Sequence, residues 1–296
     1  MDLSIIIVNY KTKDLTLQTL TSVYKAKPPR GKMEVFLVDN FSQDDTPETA
    51  KKNFPHLKII KSQKNLGFAG GNNLALRLAK GRYVLLLNSD TLVEPDTFIK
   101  MVKFMDENPQ VGLSTCRVNL FNGQIDPASH RGFPTPWAAL TYYLGLEALF
   151  PKSHLFGQYH QGWQDLNQTH EIDAPVGAFF MLRKKTLDQV GLLDEKFFMY
   201  GEDIDLAYRI KQAGWKIVYT PITKITHLKG ASGINKKIIN PEAKKIKLRT
   251  TAIFFDAMKI FYRKHYQKKY FFLFNWLVLM GIELIKALKL ARIRFS

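Results

Sequence analysis

Tyr83-Val84-Leu85-Leu86-Leu87-Asn88-Ser89-Asp90 is the stretch whose reading decides the fold. An uninterrupted apolar run of this length reads as a strand buried on both faces, as strands of parallel sheets are. It stops abruptly in an amide, a hydroxyl and a carboxylate. The same pattern occurs upstream. Leu3 to Asn9 is a run of mostly branched residues that ends in Asn9-Tyr10, Met33 to Asp39 ends in Asp39-Asn40, and Leu57 to Lys61 is a shorter strand. Helical segments separate them: Leu15 to Lys25, a helix opening at Thr46-Pro47-Glu48, a glycine-rich helix from Gly67 to Ala79, and Asp96 to Glu107. Strands alternating with helices of this size predict an α/β fold with a mostly parallel sheet covered on both faces. Ligands of such sheets bind beyond the carboxyl ends of the strands, where Asn9, Tyr10, Asp39, Asn65, Asn88, Ser89 and Asp90 fall.

The pattern loosens from about Arg117. Thr135 to Phe156 is largely apolar, with Trp137, Tyr142, Tyr143 and Phe150. Glu171 to Leu182 reads as a strand, Asp203 to Ala213 as a helix stopped by Gly214, and Lys216 to Thr220 as a strand. A basic helical region follows from Pro241 towards Lys269. Tyr270 to Leu288 is apolar and aromatic, but Asn275, Glu283 and Lys286 interrupt it, and a span needs roughly 20 apolar residues. With basic flanks at Lys268, Lys269, Lys289, Arg292 and Arg294, it predicts an interfacial helix, a buried core helix being the alternative.

Charge separates the two ends of the chain. The net charge is +17, yet Lys224 to Ser296 alone carries 17 Lys/Arg against 3 Asp/Glu, or +14, which leaves +3 for the rest. A basic tail on a near-neutral body implies an anionic partner surface. Phe271, Phe272, Phe274 and Trp276 form one apolar block and do not interleave with basic residues, as nucleic-acid binding would require. The expected partner is therefore an anionic membrane surface, with no nucleic acid. The single cysteine, Cys116, permits no intramolecular disulfide and fits a reducing compartment. No basic segment precedes the first apolar run, so no signal peptide is read.

Several polar groups have chemical readings. Asp39 could accept from a base N–H or a ribose hydroxyl, or cap its turn. Asn65 to Asn73 combines glycines, which permit close backbone approach, with a helix start open to an anion, but it matches neither a Walker loop nor a dinucleotide fingerprint. Asp90 could hold Mg²⁺ or Mn²⁺ together with a diphosphate, given a second protein ligand. Glu202, Asp203 and Asp205 crowd one helix start. This favours the helix dipole, and it also raises a carboxyl pKa towards the range useful to a general base. His227 becomes a metal ligand only if the fold brings it to Asp90. A nucleotidyltransferase would need a phosphate-grasping basic loop near the N-terminus, and Asn9-Tyr10-Lys11-Thr12-Lys13 is a poor one.

Taken in order, Ile7-Val8-Asn9-Tyr10, Val38-Asp39-Asn40, Asn65 with Gly67-Phe68-Ala69 and Gly71-Asn72-Asn73, Leu87-Asn88-Ser89-Asp90-Thr91, Arg131 with Phe133-Pro134, Asp194-Glu195, Tyr200-Gly201-Glu202-Asp203 and His227 form a specific set. Over roughly Leu3 to Ser232 the chain resembles family 2 glycosyltransferases, most closely their rhamnosyltransferase branch. The resemblance implies a GT-A-type catalytic domain over 1–232, with a nucleotide-sugar-binding half (1–116) and an acceptor and catalytic half (117–232). A basic helical, membrane-associating extension (233–296) would follow. It implies that Asn9, Tyr10, Asp39, Asn65, Gly67, Phe68, Gly71, Asn72, Asn88, Ser89 and Asp90 line the nucleotide-sugar donor. Asp90 and His227 would hold a divalent cation, Mg²⁺ or Mn²⁺. Asp203 would be the general base, supported by Glu202, and Arg131 and Asp194 would face the acceptor. Asn88 stands where the family usually has the first acid of Asp-X-Asp. The expected reaction is inverting transfer of a sugar, L-rhamnose from dTDP-L-rhamnose or another sugar from a UDP donor. The acceptor would be a polyprenyl-diphosphate-linked or other cell-surface glycan, at the cytoplasmic face of the membrane. A basic nucleic-acid- or glycan-binding protein without catalysis is the rival.

Overall fold

A computed structural model describes residues 1–29, 32–228 and 240–295. Among these, nine strands form one sheet: β1 (Leu3–Asn9), β2 (Met33–Asp39), β3 (Lys58–Lys61), β4 (Tyr83–Asn88), β5 (Thr91–Val93), β6 (Val111–Leu120), β7 (His170–Glu171), β8 (Phe179–Arg183) and β9 (Lys216–His227). Their order is β3-β2-β1-β4-β8-β6-β9-β5, with β7 also on β9. The pairings make β1, β2, β3, β4, β6 and β9 point the same way, while β5, β7 and β8 oppose them. The sheet is mostly parallel, as expected.

The long helices are α1 (Lys13–Lys25), α2 (Thr46–Asn53), α3 (Gly67–Leu76) and α4 (Thr97–Glu107). Three short ones follow: α5 (Pro136–Tyr143), α6 (Leu146–Leu149) and α7 (Lys184–Val190). Then come α8 (Glu202–Gln212), α9 (Pro241–His265) and α10 (Phe272–Phe295). Successive strand residues point to opposite faces, and each face of the sheet is buried. Ile6, Val84 and Leu86 meet α3, α8 and α9 in one apolar cluster. Leu3, Ile5, Ile7, Leu85 and Leu87 meet α1 and α4 in the other. This two-sided burial is why β1 and β4 read as unbroken apolar runs.

The second half departs from expectation. Glu171 to Leu182 is not one strand; β7 and β8 are separate, and β8 inserts antiparallel between β4 and β6. The strand expected over Lys216 to Thr220 continues to His227, past a register shift against β6 between Cys116 and Arg117. The apolar patch of Thr135 to Phe156 contains α5 and α6.

The expected extension from residue 233 divides in two, and its boundary lies among residues 229–239, outside the described residues. Helix α9 belongs to the body, because Ala257, Phe261 and Tyr262 share a core cluster with Ile204, Ala207 and Ile210 of α8. Helix α10 lies on α9. Its polar interruptions pair with α9: Asn275 accepts from the Tyr262 hydroxyl at 2.7 Å, Lys286 reaches Asp256 at 2.8 Å, and Glu283 pairs with Lys259. The outer face carries exposed Leu273, Trp276, Leu277, Met280, Leu284 and Leu288. No helix among the described residues is long and apolar enough to cross a membrane.

Candidate functional site

Parallel pairing sets Asn9 beside Asp39 and Val8 beside Asn88 at one edge of the sheet. Asn9 is wholly buried and its side chain is fully used. It donates to Asp39 Oδ1 (3.0 Å) and Ser42 Oγ (2.9 Å) and accepts from the Thr12 (3.0 Å) and Thr16 (2.9 Å) hydroxyls. Asn9, expected to line the donor site, fixes the orientation of Asp39. The loops that follow the strands hold Lys11, Phe41 and Gln43 at positive φ, and Tyr200 before α8 shares that conformation. Strain of this kind persists where surrounding structure enforces it, often at functional sites.

The glycine-rich segment proves to be a packing device. Asn40 donates to the Gly67 carbonyl (2.9 Å) and to Asn65 Oδ1 (3.2 Å), and accepts from Leu66 N–H. The N–H of Gly67 goes to Asn65 Oδ1 and that of Phe68 to the Phe198 carbonyl. The helix start therefore spends its first donors within the protein and does not offer them to an anion. A Cβ on Gly71 would meet Val8 Cγ1 at 2.9 Å, so this glycine seats α3 on β1. Asn72 is buried and bonded to the Phe68 carbonyl. Tyr10 is exposed, and Asn65 and Phe68 are half-buried.

Beyond β4 the backbone turns through Ser89 and Asp90 into β5, which pairs Thr91 with His227. Ser89 Oγ lies 3.2 Å from the Thr12 hydroxyl. His227 Nε2 lies 3.2 Å from Asp90 Oδ1, and 3.4 Å from Asn88 Nδ2. On the other side of the ring, Asp126 Oδ2 is 3.6 Å from His227 Nδ1. This carboxylate lies just beyond hydrogen-bond distance of Nδ1, while Asp90 and the Asn88 amide both face Nε2. With its lone pair on Nε2, the ring would offer a cation one ligand and Asp90 Oδ1 a second. No group of three or more His, Cys, Asp or Glu disposed around a metal occurs among the described residues. Asp90 and His227 could supply one carboxylate and one imidazole to Mg²⁺ or Mn²⁺, whose other ligands would be diphosphate and water.

Asp203 does not join that pair directly. Its Oδ2 accepts from Arg131 Nη2 at 2.8 Å and its Oδ1 from Ile204 N–H. Asp126 and Arg131 are the two ends of one short segment, with a 3-10 turn over Pro127–His130 between them. This segment joins the Asp90–His227 pair to the Asp203–Arg131 pair. Glu202 is buried beside Asp203, and its Oε2 has no hydrogen-bond partner among the described residues. Burial first, and the Asp203 charge second, push its carboxyl well above the usual range.

Asp194, expected at the acceptor, is engaged with α9 through Lys264 at 2.5 Å. Lys264 also reaches the fully buried Asp205, which accepts from Arg209 and contacts His265 at 2.7 Å. An open depression of about 570 Å³ beside Glu94, Arg117 and Lys224 includes none of the predicted residues. Sequence reading missed Asp126 and Asn40 as supporting residues. Asp126 follows the Asn122-Gly123 turn and precedes a proline, and no one-dimensional signal separates it from ordinary turn acids.

A mostly parallel sheet covered by helices on both faces, with polar side chains gathered beyond its strand ends, is a GT-A-like layout. The family model described as glycosyl transferase family 2 matches residues 4–191, and the chain belongs to that family. It is a glycosyltransferase. The chain is 25% identical, over 215 residues, to the N-acetylglucosaminyl-diphospho-decaprenol L-rhamnosyltransferase of Mycobacterium tuberculosis, covering 68% of each chain. Among solved structures it is similar to the mannosyltransferase PcManGT from Pyrobaculum calidifontis, crystallised with GDP-Man and Mn²⁺ (TM-score 0.57, 18% identity, 98% of this chain and 86% of that one). It is also similar to S. aureus TarS 1-349, with TM-score 0.55 and 18% identity, covering 86% of this chain but only 65% of that one. These two likenesses concern the fold.

Proposed function

We propose that this glycosyltransferase moves a sugar, L-rhamnose from dTDP-L-rhamnose, onto a hydroxyl of a polyprenyl-diphosphate-linked glycan with inversion at the anomeric carbon. The observation that carries the reading is the Asp90–His227 contact of 3.2 Å at the end of β4, backed by Asp126. Asp90 and His227 are the residues that would hold a divalent cation, which when bound neutralises charge on the departing diphosphate. Asp39, fixed by Asn9, faces the nucleoside, and the exposed ring of Tyr10 is available to stack on its base. Asp203 takes the proton of the acceptor hydroxyl as that oxygen attacks the anomeric carbon. The bond to the diphosphate breaks on the opposite face, and its electron pair leaves with the diphosphate. The choice of donor and acceptor follows the Mycobacterium tuberculosis relative, whose name specifies L-rhamnose and a diphospho-decaprenol acceptor.

The outer apolar face of α10, flanked by Lys268, Lys269, Lys289, Arg292 and Arg294, supports work at an anionic membrane surface, peripheral or monotopic, on the cytoplasmic side. A lipid-linked acceptor would be met there.

A thermal-shift panel of dTDP-, UDP- and GDP-sugars with Mn²⁺ or Mg²⁺ selects the donor; a preference for UDP-sugars replaces rhamnose with another sugar. Transfer from the selected donor is then measured for wild type and Asp203→Asn. The variant is expected to bind donor normally and lose on the order of 100-fold or more in turnover. Turnover near wild type removes Asp203 as the base.

A further inference from the structure

Arg131 holds Asp203 with one tooth of a two-toothed fork. Nη2 donates to Asp203 Oδ2 at 2.8 Å and to the Pro175 carbonyl at 3.1 Å, so both its hydrogens are taken. Nε, on the same edge of the guanidinium, is buried and has no hydrogen-bond partner among the described residues. Asp203 cannot fill it, because its second oxygen is turned to Ile204 N–H. The Nε and Nη2 edge is the one that carboxylates and phosphates grip with two oxygens at once. Here Nη2 is engaged and Nε is not, with the Tyr159 hydroxyl also lying against the guanidinium. The two side chains are 11% and 13% exposed while Nε itself is sealed from solvent, so a ligand entering beside Asp203 engages this edge only by shifting the guanidinium.

We propose that Arg131 is a phosphate-operated latch on Asp203: it holds the carboxylate while the acceptor is absent, and a phosphate of the acceptor, bound across Nε and Nη2, draws the guanidinium away. Asp203 is then left to take the proton. The inference rests on the reading of Asp203 as base and of the acceptor as diphosphate-linked. Its physical content is a competition between two anions for one cation. While the latch is closed, a bound donor lies beside a carboxylate that is engaged elsewhere, which protects the donor from water.

The competition predicts an inverse effect that a purely structural ion pair does not. Inorganic pyrophosphate is titrated into the full chain by calorimetry, with divalent cations removed by chelation. Asp203→Asn removes the competing anion and is expected to bind pyrophosphate about tenfold more tightly than wild type, a difference of about 1.4 kcal/mol. The gain should vanish in the double variant Asp203→Asn/Arg131→Gln. It should vanish as well when Arg131→Lys, which keeps the charge and discards the fork, is combined with Asp203→Asn. Equal affinity of wild type and Asp203→Asn, or a gain that survives loss of Arg131, overturns the latch. The titration needs no turnover, so an Asp203→Asn variant that still transferred sugar would remove the base reading and leave this result standing.

Discussion

Asp126 stands 3.6 Å behind His227, on the side of the ring opposite Asp90, and its carboxylate is almost wholly buried. A buried acid in that place would help orient the ring without touching a ligand. Replacing it by Asn should weaken Mn²⁺-dependent binding of the nucleoside diphosphate by about 10- to 100-fold. Asp90→Ala should abolish the Mn²⁺ dependence. Calorimetry with and without Mn²⁺ checks both, and affinities indifferent to the metal in wild type would end the cation's role.

Glu202 should make the protein less stable as pH rises. Its folded pKa is raised above the unfolded value by burial and by Asp203. The neutral acid therefore contributes stability below the unfolded pKa, and this is lost as pH climbs through the folded value. Glu202→Gln keeps the shape and removes the titration. Its melting temperature at pH 8 should exceed that of wild type, with the two curves converging near pH 4. Parallel curves across that range would show that Glu202 ionises freely in the folded chain.

Gly67 sits at φ +71°, and a Cβ added there would lie 2.0 Å from the Phe198 carbonyl oxygen. That carbonyl accepts from Phe68 N–H and so pins the loop leading to Glu202. Gly67→Ala should cost about 2 kcal/mol or more, through strain at positive φ together with the backbone collision. Urea unfolding measures this, and a loss below 0.5 kcal/mol would mean that the loop moves aside at little cost.

The exposed face of α10 should bind anionic lipid. Trp276, Leu277 and Met280 lie on it, half or more exposed. Converting all three to Ser removes apolar area without touching Asn275, Glu283 or Lys286, which face α9. Co-sedimentation with phosphatidylglycerol vesicles should fall at least about tenfold, since each buried apolar side chain contributes roughly 1.5 to 3 kcal/mol. Unchanged sedimentation would assign that face to another partner.

The first half of the fold was legible because its strands are buried on both faces. Leu3 to Asn9 and Tyr83 to Asn88 have no polar side to confuse the pattern. β6 was not legible: Val111-Gly112-Leu113-Ser114-Thr115-Cys116 mixes small and polar residues that are nonetheless buried, because β8 and β9 flank it on both sides. The strand-end residues Asp39, Asn88 and Asp90 fell where an open sheet places them. The glycines of the Asn65 to Asn73 segment have protein as their close neighbours. Gly67 and Gly71 make room for Phe198 and Val8, and sequence spacing does not distinguish protein backbone from a phosphate as the close neighbour. Arg131 and Asp203 are 72 positions apart, and only the folded chain shows that one restrains the other.

The short connection from Asp126 to Arg131 works as a gauge. One end, Asp126, rests against His227, and the other, Arg131, binds Asp203. In the proposed mechanism its contour length would help set how far apart bond breaking and proton removal take place. An insertion or deletion between those two positions would put the two events out of register while leaving Asp90, Asp203 and His227 untouched. In redesigning this chain for a larger or smaller sugar, that span is the dimension to adjust.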